Sequence, residues 1–212
     1  MSEARITAID TEAVRGFLHE PSNASGAGLV VTHGAGSDCT APLPVAVAAQ
    51  FCEHGLTVLR CDLAFRRKRP KGPPSPATAA ADRAGLRDAV AVLRARVSSK
   101  IYLGGHSYGG RQASMLAAEM PDIAAALLLL SYPLHPPDKP AQLRTQHFPQ
   151  LRVPALFVSG TKDGFGTIAE IDAAIKAIPA ATQLIAIEGA GHDLKRGRFD
   201  LPPLPAALAA LA

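Results

Sequence analysis

The stretch IYLGGHSYGGR, residues 101–111, decides how this chain is read. An apolar run ends in two glycines, offers Ser107, and then gives two more glycines and Arg111. Residues 105–109 spell G-x-S-x-G between an expected strand (101–104) and an expected helix (108–119). In that setting the serine sits on a turn so sharp that the residues two before and two after it must lack side chains. Such strain is tolerated where it exposes a nucleophilic hydroxyl, and the following helix turns its N-terminus towards any negative charge formed there. Read alone, however, the pentapeptide fits a plain tight turn equally well.

Outward from this junction, strand-like and helix-like segments alternate. Strands are expected at 29–31, 56–60, 101–104, 125–130, 155–159 and 183–187. Helices are expected at 42–54, 78–97, 108–119 and 167–178, with a last one carrying Leu204, Leu208 and Leu211. In the 78–97 segment Leu86, Ala89, Val90, Leu93 and Val97 recur on one helical face. Residues 64–77, rich in Arg, Lys and Pro, read as loop, and 132–150 as a proline-rich connection. Near-continuous apolar strands between helices predict an α/β fold, with a mostly parallel central sheet and helices on both faces. No repeat or linker divides the chain, so one domain over 1–212 is expected. Ligands in such folds collect at the carboxyl ends of the strands.

Two further polar clusters fall at those ends. A serine hydroxyl needs a base, and the base needs a carboxylate to fix its tautomer. His192 in EGAGHDLK follows the strand at 183–187, and Asp163 in SGTKDGFG follows the strand at 155–159. The order Ser107, Asp163, His192 is that of the α/β-hydrolases. Asp193 and Asp138 are alternative acids, although Asp193 adjoins the base and cannot easily face its ring. An oxyanion hole is expected from the N–H of Tyr108, directly after the serine. Its second donor is expected in HGAG (33–36), from Ala35 first and Gly34 second. His33 and His106 are read as hydrogen-bonding the loops behind the site.

Composition narrows the classes. The chain has 212 residues, 48% of them hydrophobic, which excludes wholesale disorder. It has no apolar run of eighteen residues and no basic-then-apolar leader in MSEARITAID, so no membrane span is expected and the default location is cytoplasmic. Cys39, Cys52 and Cys61 lack CxxC spacing and read as buried reduced thiols; neither metal nor cofactor is expected. The net charge is +4, but its excess lies in RRKRPK (66–71) without interleaved aromatics, which argues against nucleic acid; the partner expected from the hydrolase reading is a small-molecule substrate.

With these parts assembled, THGAGSD, RCDLAFRRKRP, GGHSYGGRQAS, LSYPLHPPDKP, SGTKDGFG and GAGHDLK resemble the small α/β-hydrolases related to testis-expressed protein 30. The resemblance runs from about residue 28 to 197 and extends, more distantly, to dienelactone hydrolases. It implies a serine-hydrolase fold with Ser107, Asp163 and His192 as the triad. Dienelactone hydrolases use a cysteine nucleophile, so lactone specificity does not carry over. Some animal relatives serve in chromatin complexes, which keeps a non-catalytic scaffold as the rival of another class.

Only about twenty residues (132–150) follow the strand that ends near Ser131, too few for a lid domain. The expected site is therefore open, rimmed by Phe65, Tyr132, Leu134 and Phe165. Arg66 and Arg67 leave their strand on the same edge and are expected to draw an anionic substrate. The function expected is a serine hydrolase acting on ester-type bonds through an acyl-enzyme. Peptidase, thioesterase and acyltransferase chemistry would use the same triad.

Overall fold

A computed structural model describes residues 4–196, 198–199 and 201–212. Residues 1–3, which begin the segment read above for a leader, and residue 197, which closes the stretch of resemblance, lie outside the described residues. The apolar segments pair into a sheet of eight strands: β1 (Arg5–Asp10), β2 (Arg15–Glu20), β3 (Gly28–Thr32), β4 (Thr57–Cys61), β5 (Ile101–His106), β6 (Ala126–Leu130), β7 (Ala155–Gly160) and β8 (Thr182–Ile187). Their order is β1-β2-β4-β3-β5-β6-β7-β8. From β4 to β8 every neighbouring pair is parallel. The hairpin β1–β2 joins β4 antiparallel at one edge.

Strands buried on both faces send alternate residues into two cores. Val30, Leu59, Leu103, Leu127, Leu129 and Phe157 pack on one side under α3 (Ala79–Arg94), α4 (Tyr108–Glu119) and α5 (Ile168–Ile175). Leu29, Val31, Val58, Leu128, Leu156 and Val158 pack on the other, under α1 (Pro42–Glu53) and α6 (Leu204–Leu211). The apolar face expected on α3 is the face buried: Leu86, Ala89, Val90 and Leu93 are all in the core. The register sets Thr32 beside both Cys61 and Gly105, His106 beside Leu130, and Gly160 beside Ile187. The loops after β3, β4, β5, β6, β7 and β8 thus leave from one edge.

Two stretches differ from expectation. Residues 64–77 are not all loop: α2 (Ala64–Lys68) continues β4 after a two-residue break, because Phe65 and the stem of Arg66 are both buried there. The hairpin β1–β2 was not expected: all but one residue of β1 is exposed, and β2 (RGFLHE) mixes charged with buried residues without strict alternation. A short pair, β9 (Lys195–Arg196) and β10 (Arg198–Phe199), precedes α6. The connection from Ser131 to Pro154 holds one 3-10 turn (Phe148–Gln150) and no lid. No helix among the described residues is long and apolar enough to cross a membrane.

Candidate active site

At the end of β5 the chain turns into α4 through Ser107, whose φ of 51° and ψ of −118° lie in a region a side chain rarely occupies. The turn is possible only because its flanks are bare. A Cβ on Gly109 would come within 2.4 Å of the His33 carbonyl, and one on Gly105 within 2.9 Å of the Gly109 and Gly110 backbone. The Ser107 N–H donates to the Leu130 carbonyl (2.8 Å), anchoring the turn to β6. The strain is thus held by packing on both sides of the residue.

Against this serine stands His192. Its Nε2 lies 2.8 Å from Ser107 Oγ, and its Nδ1 lies 3.0 and 2.9 Å from the two carboxylate oxygens of Asp163. A carboxylate can only accept, so Nδ1 carries the proton and Nε2 presents its lone pair to the hydroxyl. The Asp163 side chain is 1% exposed and the imidazole 25%, so the acid is buried and the base reaches solvent. Asp163 Oδ1 also accepts the Phe165 N–H (2.9 Å), which fixes the carboxylate. The Phe165 ring stacks on the imidazole at 4.2 Å between centroids.

Backbone bonds fasten the base's loop to the acid's. The Thr161 N–H donates to the Ile187 carbonyl (3.1 Å) and the Lys162 N–H to that of Ala190 (2.9 Å), while the Gly189 N–H donates to Thr161 Oγ1 (2.9 Å). His106 adds a brace from the serine's own strand: its Nε2–H donates to the His192 carbonyl (2.7 Å). Burial lowers its pKa to about 4, so it stays neutral as a brace. Of the alternative acids, Asp193 turns away to accept the Lys195 N–H (3.1 Å), and Asp138 lies exposed on the connection after β6.

The loop after β3 lies directly over the turn. A Cβ on Gly34 would sit 2.9 Å from His106 Nδ1 and 3.5 Å from Ser107 Cβ. The Gly34 carbonyl accepts from the His33 ring (2.8 Å) and the Ser37 N–H (3.3 Å), so the N–H of Ala35 in the same trans peptide faces the other way. Among the described residues, the N–H groups of Ala35 and Tyr108 donate to nothing. Two backbone donors are therefore unspent beside Ser107, as an oxyanion site needs.

The rim and the basic stretch read differently in three dimensions. Phe65, Tyr132 and Leu134 are no more than 2% exposed and belong to the core. Apolar side chains at a strand end gain more from filling the space under the loops than from facing solvent. Phe65 packs against His33 and Tyr108, and Tyr132 against Phe148 and Phe157. Only Phe165 of the expected rim stands at the site. Arg66 is 4% exposed, and its guanidinium donates to the carbonyls of Ser37, Arg69, Pro70, Ala35 and Gly72. Arg67 donates to the carbonyls of Thr11, Glu12 and Ala13 in the β1–β2 turn. Both are struts: each guanidinium satisfies carbonyls of loops that have no ladder partner. Neither has a fork left for a substrate anion.

Sequence reasoning missed Asp82. This buried carboxyl accepts the Phe65 N–H (2.8 Å) and the Tyr108 hydroxyl (2.8 Å), so it holds the residue that follows the nucleophile. Burial raises its pKa, against the lowering effect of its two donors. The signal was present, because Asp82 lies four residues before Leu86 on the apolar face of α3. Cys39, Cys52 and Cys61 are buried and unpaired, and no cluster of His, Cys, Asp or Glu among the described residues is spaced to hold a metal ion.

Residues 25–200 match the family model described as alpha/beta hydrolase domain. Among solved structures, dienelactone hydrolase from Anabaena variabilis superposes with a TM-score of 0.70 at 23% identity, over 99% of this chain and 95% of that one. An alpha-beta serine hydrolase homologue from Coxiella burnetii gives 0.71 at 20% identity, over 100% and 99%. A serine hydrolase without lid from Xanthomonas campestris gives 0.70 at 15%, over 99% and 94%.

Proposed function

The chain belongs to the alpha/beta hydrolase domain family, and from that premise we propose that it is a serine hydrolase that cleaves ester-type acyl bonds. The observation that carries the reading is the single imidazole, His192, poised 2.8 Å from Ser107 Oγ and 2.9 Å from Asp163. In the first step Ser107 Oγ attacks the substrate carbonyl while Nε2 of His192 takes its proton. Asp163 keeps the other ring nitrogen protonated and stabilises the imidazolium. The tetrahedral oxyanion is held by the N–H groups of Ala35 and Tyr108 at the head of α4. His192 then gives its proton to the leaving alkoxide, and a water activated by the same imidazole releases the acyl group from Ser107.

The short connection between β6 and β7 supports an open site that takes small or protruding acyl groups. The motifs that resemble those of the group related to testis-expressed protein 30 agree with this chemistry and leave the natural acyl group open. Labelling with a fluorophosphonate probe tests the proposal. Wild type should be labelled on Ser107, and Ser107→Ala should not. No labelling of wild type, or undiminished labelling of Ser107→Ala, overturns it in favour of a scaffold role.

A further inference from the structure

Resting on that reading of the site, we propose that Arg111 and Arg144 form a subsite for an anionic head group on the acyl substrate, a carboxylate or a phosphate. Arg111 lies one turn along α4 from the serine, its N–H donating to the Ser107 carbonyl (3.0 Å). Residues four apart share a helix face, and side chains there lean towards the N-terminus, so Arg111 is directed back to the nucleophile's end. Its Nε is buried and has no hydrogen-bond partner. Arg144 comes from the connection after β6, where its N–H donates to the Leu134 carbonyl (2.8 Å) and its own carbonyl accepts the Tyr132 hydroxyl (2.6 Å). Its guanidinium makes one long bond, 3.3 Å, to the Pro133 carbonyl.

Several other arginines are settled. Arg5, Arg15, Arg83 and Arg87 pair with carboxylates, and Arg66 and Arg67 with carbonyls. Arg111 and Arg144 make no ion pair among the described residues, yet both are half-buried. They are also close enough to feel each other: burial first, and Arg111 second, lower the pKa of Arg144. His147 sits beside them, bound to Ser114 Oγ (2.8 Å), and burial followed by Arg111 and Arg83 holds its pKa at about 4. Two guanidiniums gathered in partial burial without an anion are costly unless a ligand supplies one. Two planar forks suit an oxyacid group that accepts two hydrogen bonds from each.

Turnover and binding test the subsite separately. Wild type should prefer p-nitrophenyl hemisuccinate to p-nitrophenyl butyrate, and Arg111→Gln or Arg144→Gln should lower that kcat/KM ratio about tenfold, the size of a lost charged hydrogen bond. An unchanged ratio in both variants overturns the subsite. Arg144→Gln, outside the helix, keeps the test open should Arg111→Gln fail to fold. For binding, succinate and inorganic phosphate should raise the Tm of Ser107→Ala, and the added Arg111→Gln change should abolish the rise. The larger rise of the two assigns the head group. No rise with either anion overturns the subsite. An anion-dependent rise without turnover of either ester overturns the hydrolase reading instead and leaves the subsite standing.

Discussion

HGAG (33–36) and GAGH (189–192) contain the same four residues in mirrored order, and both follow strands that end at the same edge of the sheet. Their histidines are used in opposite ways. His33 is wholly buried: its Nδ1–H donates to the Gly34 carbonyl and its Nε2 accepts the Leu63 N–H (3.1 Å). Burial lowers its pKa, and a ring whose second nitrogen accepts an amide proton has no place for another. His192 is tied to the protein through one nitrogen only, and the other meets the serine hydroxyl. Thus a histidine is available for chemistry when the backbone around it is satisfied by something else. At His192 that work is done by Thr161, Lys162 and His106.

The sharpest way to break this contrast is to remove each ring in turn. His192→Ala should lower kcat on an ester about 10⁶-fold with folding retained, as loss of the base does in triads of this kind. His33→Ala should instead show in urea unfolding, at a cost of about 2–3 kcal/mol for the Leu63 N–H left without a partner and the space vacated. A loss of kcat for His33→Ala as large as for His192→Ala, in a folded protein, would overturn the distinction. A smaller effect is expected at the acid. Asp163→Asn keeps the shape but not the tautomer, and should lower kcat about 10⁴-fold while KM changes little.

The smallest effect is on stability in acid. His19 and His106 both have pKa values lowered from 6.5 to about 4, by burial above all, then through Arg60 for His19. Between those values the unfolded chain binds the protons and the folded one does not, so stability is full above pH 6.5 and is lost as pH falls towards 4. Asp82 acts in the other direction: its raised pKa favours the fold at low pH and that contribution fades as pH rises. Tm measured across pH 4–7 should therefore fall on acidification, and His106→Gln should flatten the curve. An equally steep curve in His106→Gln would show that this brace does not titrate on unfolding.

Much of the sheet was legible because strands covered on both faces are apolar throughout, as in Leu29–Val31 and Leu127–Leu130. Ser107 and Asp163 could be picked out because each follows such a strand, and His192 because it follows the apolar run of the half-exposed edge strand β8; the structure brings the three together. β1 was not legible: a strand that faces solvent on both sides has no pattern to betray it. The direction of long side chains was equally hidden. Phe65, Tyr132 and Leu134 stand at strand ends, where a sequence cannot tell a rim from the packing beneath it. Arg66 sits in the most basic stretch of the chain yet is spent on carbonyls, whereas Arg111, a lone arginine after four glycines, keeps a buried Nε with no hydrogen-bond partner among the described residues.

The lidless connection between β6 and β7 carries a consequence for how a substrate would reach the serine. Tyr132 and Phe148 pin that segment to the core on both sides of its exposed middle, and among the described residues it carries no helix longer than one 3-10 turn to act as a lid. A serine hydrolase of the proposed kind would gain nothing from an oil–water interface, because no apolar lid is built among the described residues to be displaced there. Its rate should rise smoothly with dissolved ester and show no jump when the ester begins to form droplets.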